Sequence, residues 1–466
     1  MKKLLIFFLI LLFVSCSKNE PEPEGPSGPL PVITWVMSSG RFTIQTGESI
    51  QLVPDIEYLD ETSVYTWIIE EQTVGHENYY TFTSDEPGVY YVKLIINNRY
   101  GKVEDEVKIT VVEAENVELP EIPEHSDWKF PWTEINVAQG RTIKVKAYMT
   151  DDSEVSEVFT ATEVGRHIVT LSYNGQSQDF VINVCPEAGT YRRSSKGQAM
   201  VNRVYEYMPA PGHQVNGYII TGEAYPKDCT HEQACDSVLA HFSRKWSVSL
   251  GGQGGYLIAG FDHSVPSGGA AYDLCIKGNP FSYQSEPGII WVSQDDNGDG
   301  LPNDQWFELA GSEYGSDNHT TEYAITYFKP EKAKSAVGWR DSNNDTGYIP
   351  YLSYWNPSPY YWQPWVKGTE HTYFGSRLRD RSTYQNGISD IPPYDWGYAD
   401  NLGDFLDGPA GKMGYYKISN ARTWDGQPAN LEYIDFIKIQ TAQTGSTPNL
   451  GEISTEIYYI SDYHLE

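Results

Sequence analysis

The residues best suited to chemistry lie in Asp295-Asp296-Asn297-Gly298-Asp299-Gly300-Leu301-Pro302-Asn303-Asp304. Side-chain oxygens recur at Asp295, Asn297 and Asp299, Gly300 permits a sharp turn, and Asp304 can close the loop. Oxygens spaced in this way suit a hard cation such as Ca2+. The bidentate Glu of an EF-hand loop is missing, since Trp306 stands at its twelfth place. The expectation is therefore a variant calcium loop of Asp295, Asn297, Asp299 and Asp304, with Glu308 helping, set against an Asx-rich turn that holds no ion. In either case the loop's expected role is structural bracing. Asp341-Ser342-Asn343-Asn344-Asp345-Thr346-Gly347 repeats the pattern more weakly.

A second chemical feature is aromatic. Tyr348, Tyr351, Tyr354, Trp355, Tyr360, Tyr361, Trp362 and Trp365 are interrupted by Pro350, Pro357, Pro359 and Pro364. Proline at that density excludes a regular helix or a central strand, so the rings belong to an irregular loop. Rings on a loop can stack on a sugar or on a flat macrocycle, and these eight are the expected ligand-binding residues. The alternative is that they pack on one another as a local core.

Catalysis is not expected. Gly251-Gly252-Gln253-Gly254-Gly255 lacks the Gly-Lys-Ser/Thr of a phosphate loop, and Asp262-His263 has no nucleophile motif beside it. A glycosidase would need two carboxyl groups about 5 to 10 Å apart, for which Asp341, Asp345, Glu370 and Asp380 are the candidates. Four cysteines beyond Cys16, namely Cys185, Cys229, Cys235 and Cys275, permit disulfides in an exported protein, with Cys229 and Cys235 the local pair. His231 and Glu232 lie between those two, but the spacing matches no tetrahedral zinc pattern.

The elements that must position these groups are strands. In 466 residues, 35 Tyr, 13 Trp and 41 Gly accompany short apolar runs broken by polar residues, which favours β structure in several domains. With 63 acidic against 33 basic residues the net charge is -30, which repels phosphate backbones and excludes nucleic acid as a partner.

At the N-terminus, Lys2 and Lys3 precede an apolar stretch from Leu4 to Val14, then Ser15 and Cys16. That stretch is too short to span a bilayer but suits a signal peptide, here residues 1–15. The junction resembles a bacterial lipobox, which implies a lipid on Cys16 and membrane contact through that anchor alone. Residues 16–31 form a polar, proline-rich tether. Its acidic start is similar to the export tag of Bacteroidota lipoproteins, which implies the exposed face of the outer membrane.

Three bodies follow: 32–113, 114–187 and 188–466. In the first, a Pro-Gly turn at Pro87-Gly88 feeds an alternating strand through Tyr91 and Ile96, and Trp67 offers the large buried aromatic of a two-sheet sandwich. It resembles the polycystic-kidney-disease (PKD) type of immunoglobulin-like (Ig-like) domain. In the second, Gly140 to Ala147, Gly165 to Tyr173 and Gln178 to Val184 carry strand patterns, which make it a second Ig-like domain of the sort that acts as a spacer.

The third body carries Tyr205-Glu206-Tyr207-Met208-Pro209-Ala210-Pro211-Gly212, Gly278-Asn279-Pro280-Phe281, Trp306-Phe307-Glu308-Leu309-Ala310-Gly311 and Asp395-Trp396-Gly397-Tyr398-Ala399-Asp400. It also carries Ile434-Asp435-Phe436-Ile437-Lys438-Ile439 and Gly451-Glu452-Ile453-Ser454-Thr455-Glu456. It resembles a family of Bacteroidota surface lipoproteins that accompany vitamin B12 (cobalamin) uptake. The resemblance implies a jelly-roll-like domain that captures cobalamin for a TonB-dependent outer-membrane transporter, with no catalysis. A surface glycan-binding lipoprotein is the competing expectation, because the same rings can stack on sugars.

Overall fold

The computed structural model describes residues 28–465 apart from 36–40, 114–118, 125–127, 150–154, 187–188, 194–196, 214, 216–227, 282, 353–360, 386–387, 405–412 and 448–449. Cys16, Tyr354, Trp355 and Tyr360 lie outside the described residues. The chain forms two compact units, one drawn from residues 28–42, 51–82 and 88–111 and the other from 43–50, 83–87 and 112 onward. It is all-β, and among the described residues no helix is long and apolar enough to cross a membrane.

In the first unit, β1 (Val64–Ile69), β2 (Gly88–Asn98) and β3 (Gly101–Val112) pair antiparallel in the order β1-β2-β3. Alternation along β2 sends Val92, Leu94 and Ile96 inward, where they meet the fully buried Trp67. Trp67 stacks on Tyr80 with ring centroids 5.8 Å apart. The Asn98 side chain closes the β2–β3 turn by accepting from the amides of Tyr100 and Gly101 at 2.9 and 3.1 Å.

The second unit begins with a small sandwich. β4 (Glu134–Ala138), β5 (Thr142–Ala147), β6 (Val155–Thr160), β7 (Gly165–Tyr173) and β8 (Gln176–Cys185) form a three-stranded sheet β4-β8-β7 and a β5–β6 pair. Val137, Val145, Leu171, Phe180 and Ile182 fill the space between them.

The rest of the unit is a larger sandwich with one added sheet. Its elements are β9 (Arg203–Met208), α1 (His231–Arg244), β10 (Tyr256–Pro266), β11 (Leu274–Lys277), β12 (Gly288–Ser293), β13 (Trp306–Leu309) and β14 (His319–Phe328). They continue with β15 (Val337–Asp341), β16 (Thr346–Ile349), β17 (Glu370–Leu378), β18 (Met413–Tyr416), β19 (Ala421–Arg422), β20 (Tyr433–Thr441) and β21 (Tyr459–Asp462). The strands order as β9-β10-β20-β12-β13-β19, as β18-β11-β21 and as β16-β15-β14-β17. Leu257, Ile290, Ile437 and Ile439 of the six-stranded sheet share one core with Leu274, Ile276 and Ile460 of the three-stranded sheet. Each such side chain contributes roughly 1.5–3 kcal/mol by leaving water.

The candidate pair Cys229 and Cys235 is not bridged, and helix α1 begins between the two. Thr230 caps it, accepting from the Gln233 amide at 3.2 Å while the Gln233 side chain accepts from the Thr230 amide at 3.0 Å. Cys235 then lies on the buried face of the helix with Val238 and Phe242. All four cysteines among the described residues are buried thiols with no disulfide. Burial pushes the thiols of Cys185 and Cys235 up to about 11 and about 12, which keeps them protonated and unreactive. Reducing agent therefore leaves the melting temperature unchanged. A fall of more than about 5 °C, the size expected for loss of a structural disulfide, would contradict this assignment.

Candidate functional site

The six-stranded sheet is apolar on one face only. Its register aligns Glu206 with Ile258, Ile258 with Lys438, Lys438 with Trp291, Trp291 with Glu308, and Glu308 with Arg422. These six residues make one line across all six strands. Their neighbours in sequence, such as Leu257, Ile437, Ile439, Ile290, Val292, Phe307 and Leu309, enter the core, so the line faces the other way. There it forms the floor of a cavity of about 610 Å³. Phe130, Trp132, Lys144, Lys146 and Tyr148 of the small sandwich form one wall, β17 from His371 to Ser376 another, and Trp306 and Trp424 part of the rim. The volume lies within the range of small-molecule sites, roughly 300–1,000 Å³.

The floor is electrically unusual. The Lys438 ammonium lies 4.5 Å from the ring centre of Tyr256 and 5.8 Å from that of Trp291, and donates to the Phe374 carbonyl at 3.3 Å. Burial pushes Lys438 down to about 8, with the Glu206 carboxylate pulling the other way. Glu206 accepts from the Tyr256 hydroxyl at 2.6 Å. Burial and the Glu206 charge hold that phenol well above its usual range. On the wall, Lys144 and Lys146 both donate to Glu322 at 2.9 Å and share its single negative charge. Among the described residues Lys438 has no ion pair.

Three lining residues present buried polar atoms without a hydrogen-bond partner: the Trp291 indole N–H, the Gln305 side-chain oxygen and both Asp304 carboxylate oxygens. Each is costly to bury unsatisfied, and each can be satisfied by a polar group entering the cavity. Ser376 and His319 are not paired as a nucleophile and its base. Ser376 donates to Glu308 at 2.5 Å and His319 meets the other Glu308 oxygen at 2.7 Å, so the imidazole does not touch the hydroxyl.

The expected ligand rings lie elsewhere. Tyr351, Tyr361 and Trp362 are buried in a core with Tyr323, Tyr327 and Tyr373, and Trp365 packs against that core and the main one. The Tyr348 hydroxyl donates to the Pro120 carbonyl at 2.9 Å. The prolines do produce an irregular segment, but its described rings cover the four-stranded sheet instead of standing open. Of the glycosidase candidates, Asp341 accepts from the Tyr323 hydroxyl at 2.7 Å, Glu370 pairs with Lys129 at 2.6 Å and Asp380 accepts from the Ser382 amide at 2.8 Å. None of the four lines the cavity.

In the acidic loop, Asp295 and Asp304 are buried while Asn297 and Asp299 are exposed and bonded to each other at 2.8 Å. A further acidic group went unread in the sequence because its members are far apart in it. Glu286, Asp400 and Glu456 are the one such trio among the described residues whose ligand atoms all lie within 4.8 Å of one another. Each is held: Glu286 by the Ser454 amide at 3.0 Å, Asp400 by the Asn279 amide at 2.6 Å, and Glu456 by the Ser249 hydroxyl at 2.8 Å. Burial, then the charges of Glu456 and Asp400, hold Glu286 well above the usual carboxylate range.

Residues 30–98 match the PKD-like domain family. No curated protein matches the chain. Among solved structures, the fibronectin(III)-like modules of Clostridium thermocellum CbhA align with 35% of this chain and 100% of theirs at 10% identity, with a TM-score of 0.17. A titin Ig tandem aligns with 33% of this chain and 95% of its own at 17% identity and a TM-score of 0.15. A quinonprotein alcohol dehydrogenase-like protein from Bacteroides thetaiotaomicron aligns with 32% of this chain and 38% of its own at 14% identity and a TM-score of 0.16.

The raised carboxyl of Glu286 makes the fold bind a proton that the unfolded chain releases. Its contribution to stability is full below the ordinary carboxylate value and is lost as pH rises. Glu286→Gln accordingly raises the melting temperature at about pH 8 and flattens its decline from about pH 5. A variant that melts lower than the parent at pH 8 would show that the trio needs its charge.

Proposed function

We propose that this protein is a non-enzymatic surface lipoprotein that captures cobalamin in the cavity between its two C-terminal sandwiches and passes it to a TonB-dependent transporter. The observation that carries the reading is the line from Glu206 to Arg422, which puts ring faces and directional polar groups on one floor. A corrin has broad apolar faces and a rim of amides, and its nucleotide arm carries a phosphate. Trp291 and Tyr256 supply surface for the faces, while Glu308, Arg422 and Gln305 supply donors and acceptors for amides. Lys438, the cavity-lining lysine that makes no ion pair among the described residues, suits the phosphate or an amide carbonyl.

Export and anchoring rest on Lys2, Lys3, the apolar run and Cys16. The lipid tether keeps the cavity near the membrane that holds the transporter. The choice of cobalamin over another flat, polar-edged molecule rests on the resemblance carried by residues 188–466. An oligosaccharide would use the same rings, so it is the competing ligand.

Calorimetric titration of the full-length protein with cyanocobalamin tests the reading. Saturable uptake is expected, weakened by about 1.4 kcal/mol or more, tenfold, in Trp291→Ala and Lys438→Met. Lys438 is charged below its value of about 8, so affinity falls as pH rises through that value in the parent and stays level in Lys438→Met. No uptake of cyanocobalamin, with saturable uptake of an oligosaccharide, would replace cobalamin by a glycan.

A further inference from the structure

We propose that Asp295 and Asp304 hold a calcium ion that fixes the cavity rim to the small sandwich. Asp304 is 1% exposed and Asp295 6% exposed. Neither oxygen of Asp304, nor Oδ1 of Asp295, accepts a hydrogen bond. A carboxylate buried in that condition needs a proton or a cation.

The surroundings favour a cation. Asp304 shares its loop with the carboxyl groups of Asp295, Asp296 and Asp299. Asp296 is not a ligand, because it pairs with Arg141 at 2.8 Å and accepts from the Ala138 amide at 3.2 Å.

The exposed pair in the loop has another task. Asn297 Oδ1 accepts from the Asp299 amide at 2.9 Å, and Asp299 accepts from the Leu301 amide at 2.8 Å and from the Asn303 side chain at 3.0 Å. Gly298 and Gly300 hold φ values of 73° and 75° that make this coil possible. Of the four residues that the spacing nominates, two therefore shape the loop and two remain as buried ligands. Backbone carbonyls and water complete a calcium shell, which tolerates irregular geometry better than a magnesium shell does.

The position gives the ion a mechanical role. The Asn303 carbonyl accepts from the Asn136 amide at 3.1 Å, and the Asn136 side chain donates to Asn303 Oδ1 at 2.8 Å. Asn303, Asp304 and Gln305 also line the cavity. An ion at Asp304 would therefore stiffen both the joint between the sandwiches and one edge of the ligand site. This inference stands whatever the cavity binds.

The test is calorimetric titration of the chelator-treated full-length protein with calcium chloride, paired with melting in calcium and in chelator. The parent and Glu286→Gln are expected to take up one saturable equivalent and to melt higher in calcium. Asp304→Asn and Asp295→Asn should lose more than about tenfold in affinity and show no calcium-dependent rise in melting. In chelator Asp304→Asn should melt above the parent, since the unpartnered carboxylate is gone. Absence of saturable uptake would overturn the proposal. So would uptake that survives both loop variants and is lost in Glu286→Gln, which would put the ion at the Glu286 trio.

Discussion

Everything about the candidate site depends on the two-residue period of the six-stranded sheet. One set of alternate side chains forms the main core, and the other presents Glu206, Lys438, Trp291, Glu308 and Arg422 in register. A slip of one residue in β20 would exchange those sets, burying Lys438 in the core and opening an isoleucine to the cavity. The apolar face thus enforces the polar one. Lys438 shows the tension most clearly, since its ammonium sits on two aromatic faces with its ordinary basicity reduced.

The small sandwich completes the site. It is tied to the larger domain by the Arg141–Asp296 pair at 2.8 Å, by Lys144 and Lys146 on Glu322, and by the Trp424 indole donating to Thr142 Oγ1 at 3.3 Å. These contacts make it a wall of the cavity. Its polar strand positions Lys144 and Lys146 face another part of the same chain.

The β class, the PKD-like domain and the sandwich strands were legible because alternation and turn residues act locally. The aromatic cluster was legible as a cluster, with ligand platform and local core both left open, since proline content says that a loop is irregular and nothing about what covers it. Tyr351, Tyr361 and Trp362 are buried by strands that come from other parts of the sequence. The cavity was not legible at all: Glu206, Ile258, Trp291, Glu308, Arg422 and Lys438 meet only through strand register. Helix α1 had a readable signal in Thr230-His231-Glu232-Gln233, a capping box, which the nearby cysteines overshadowed.

Hydrogen–deuterium exchange of the full-length protein, with and without saturating cyanocobalamin, tests most directly whether the cavity is the ligand site. The account predicts slower exchange in Thr142–Ala147, Glu370–Leu378 and Tyr433–Thr441, with residues 361–366 unchanged. Protection confined to the segment around Tyr348 to Trp365, or no protection anywhere, would contradict it.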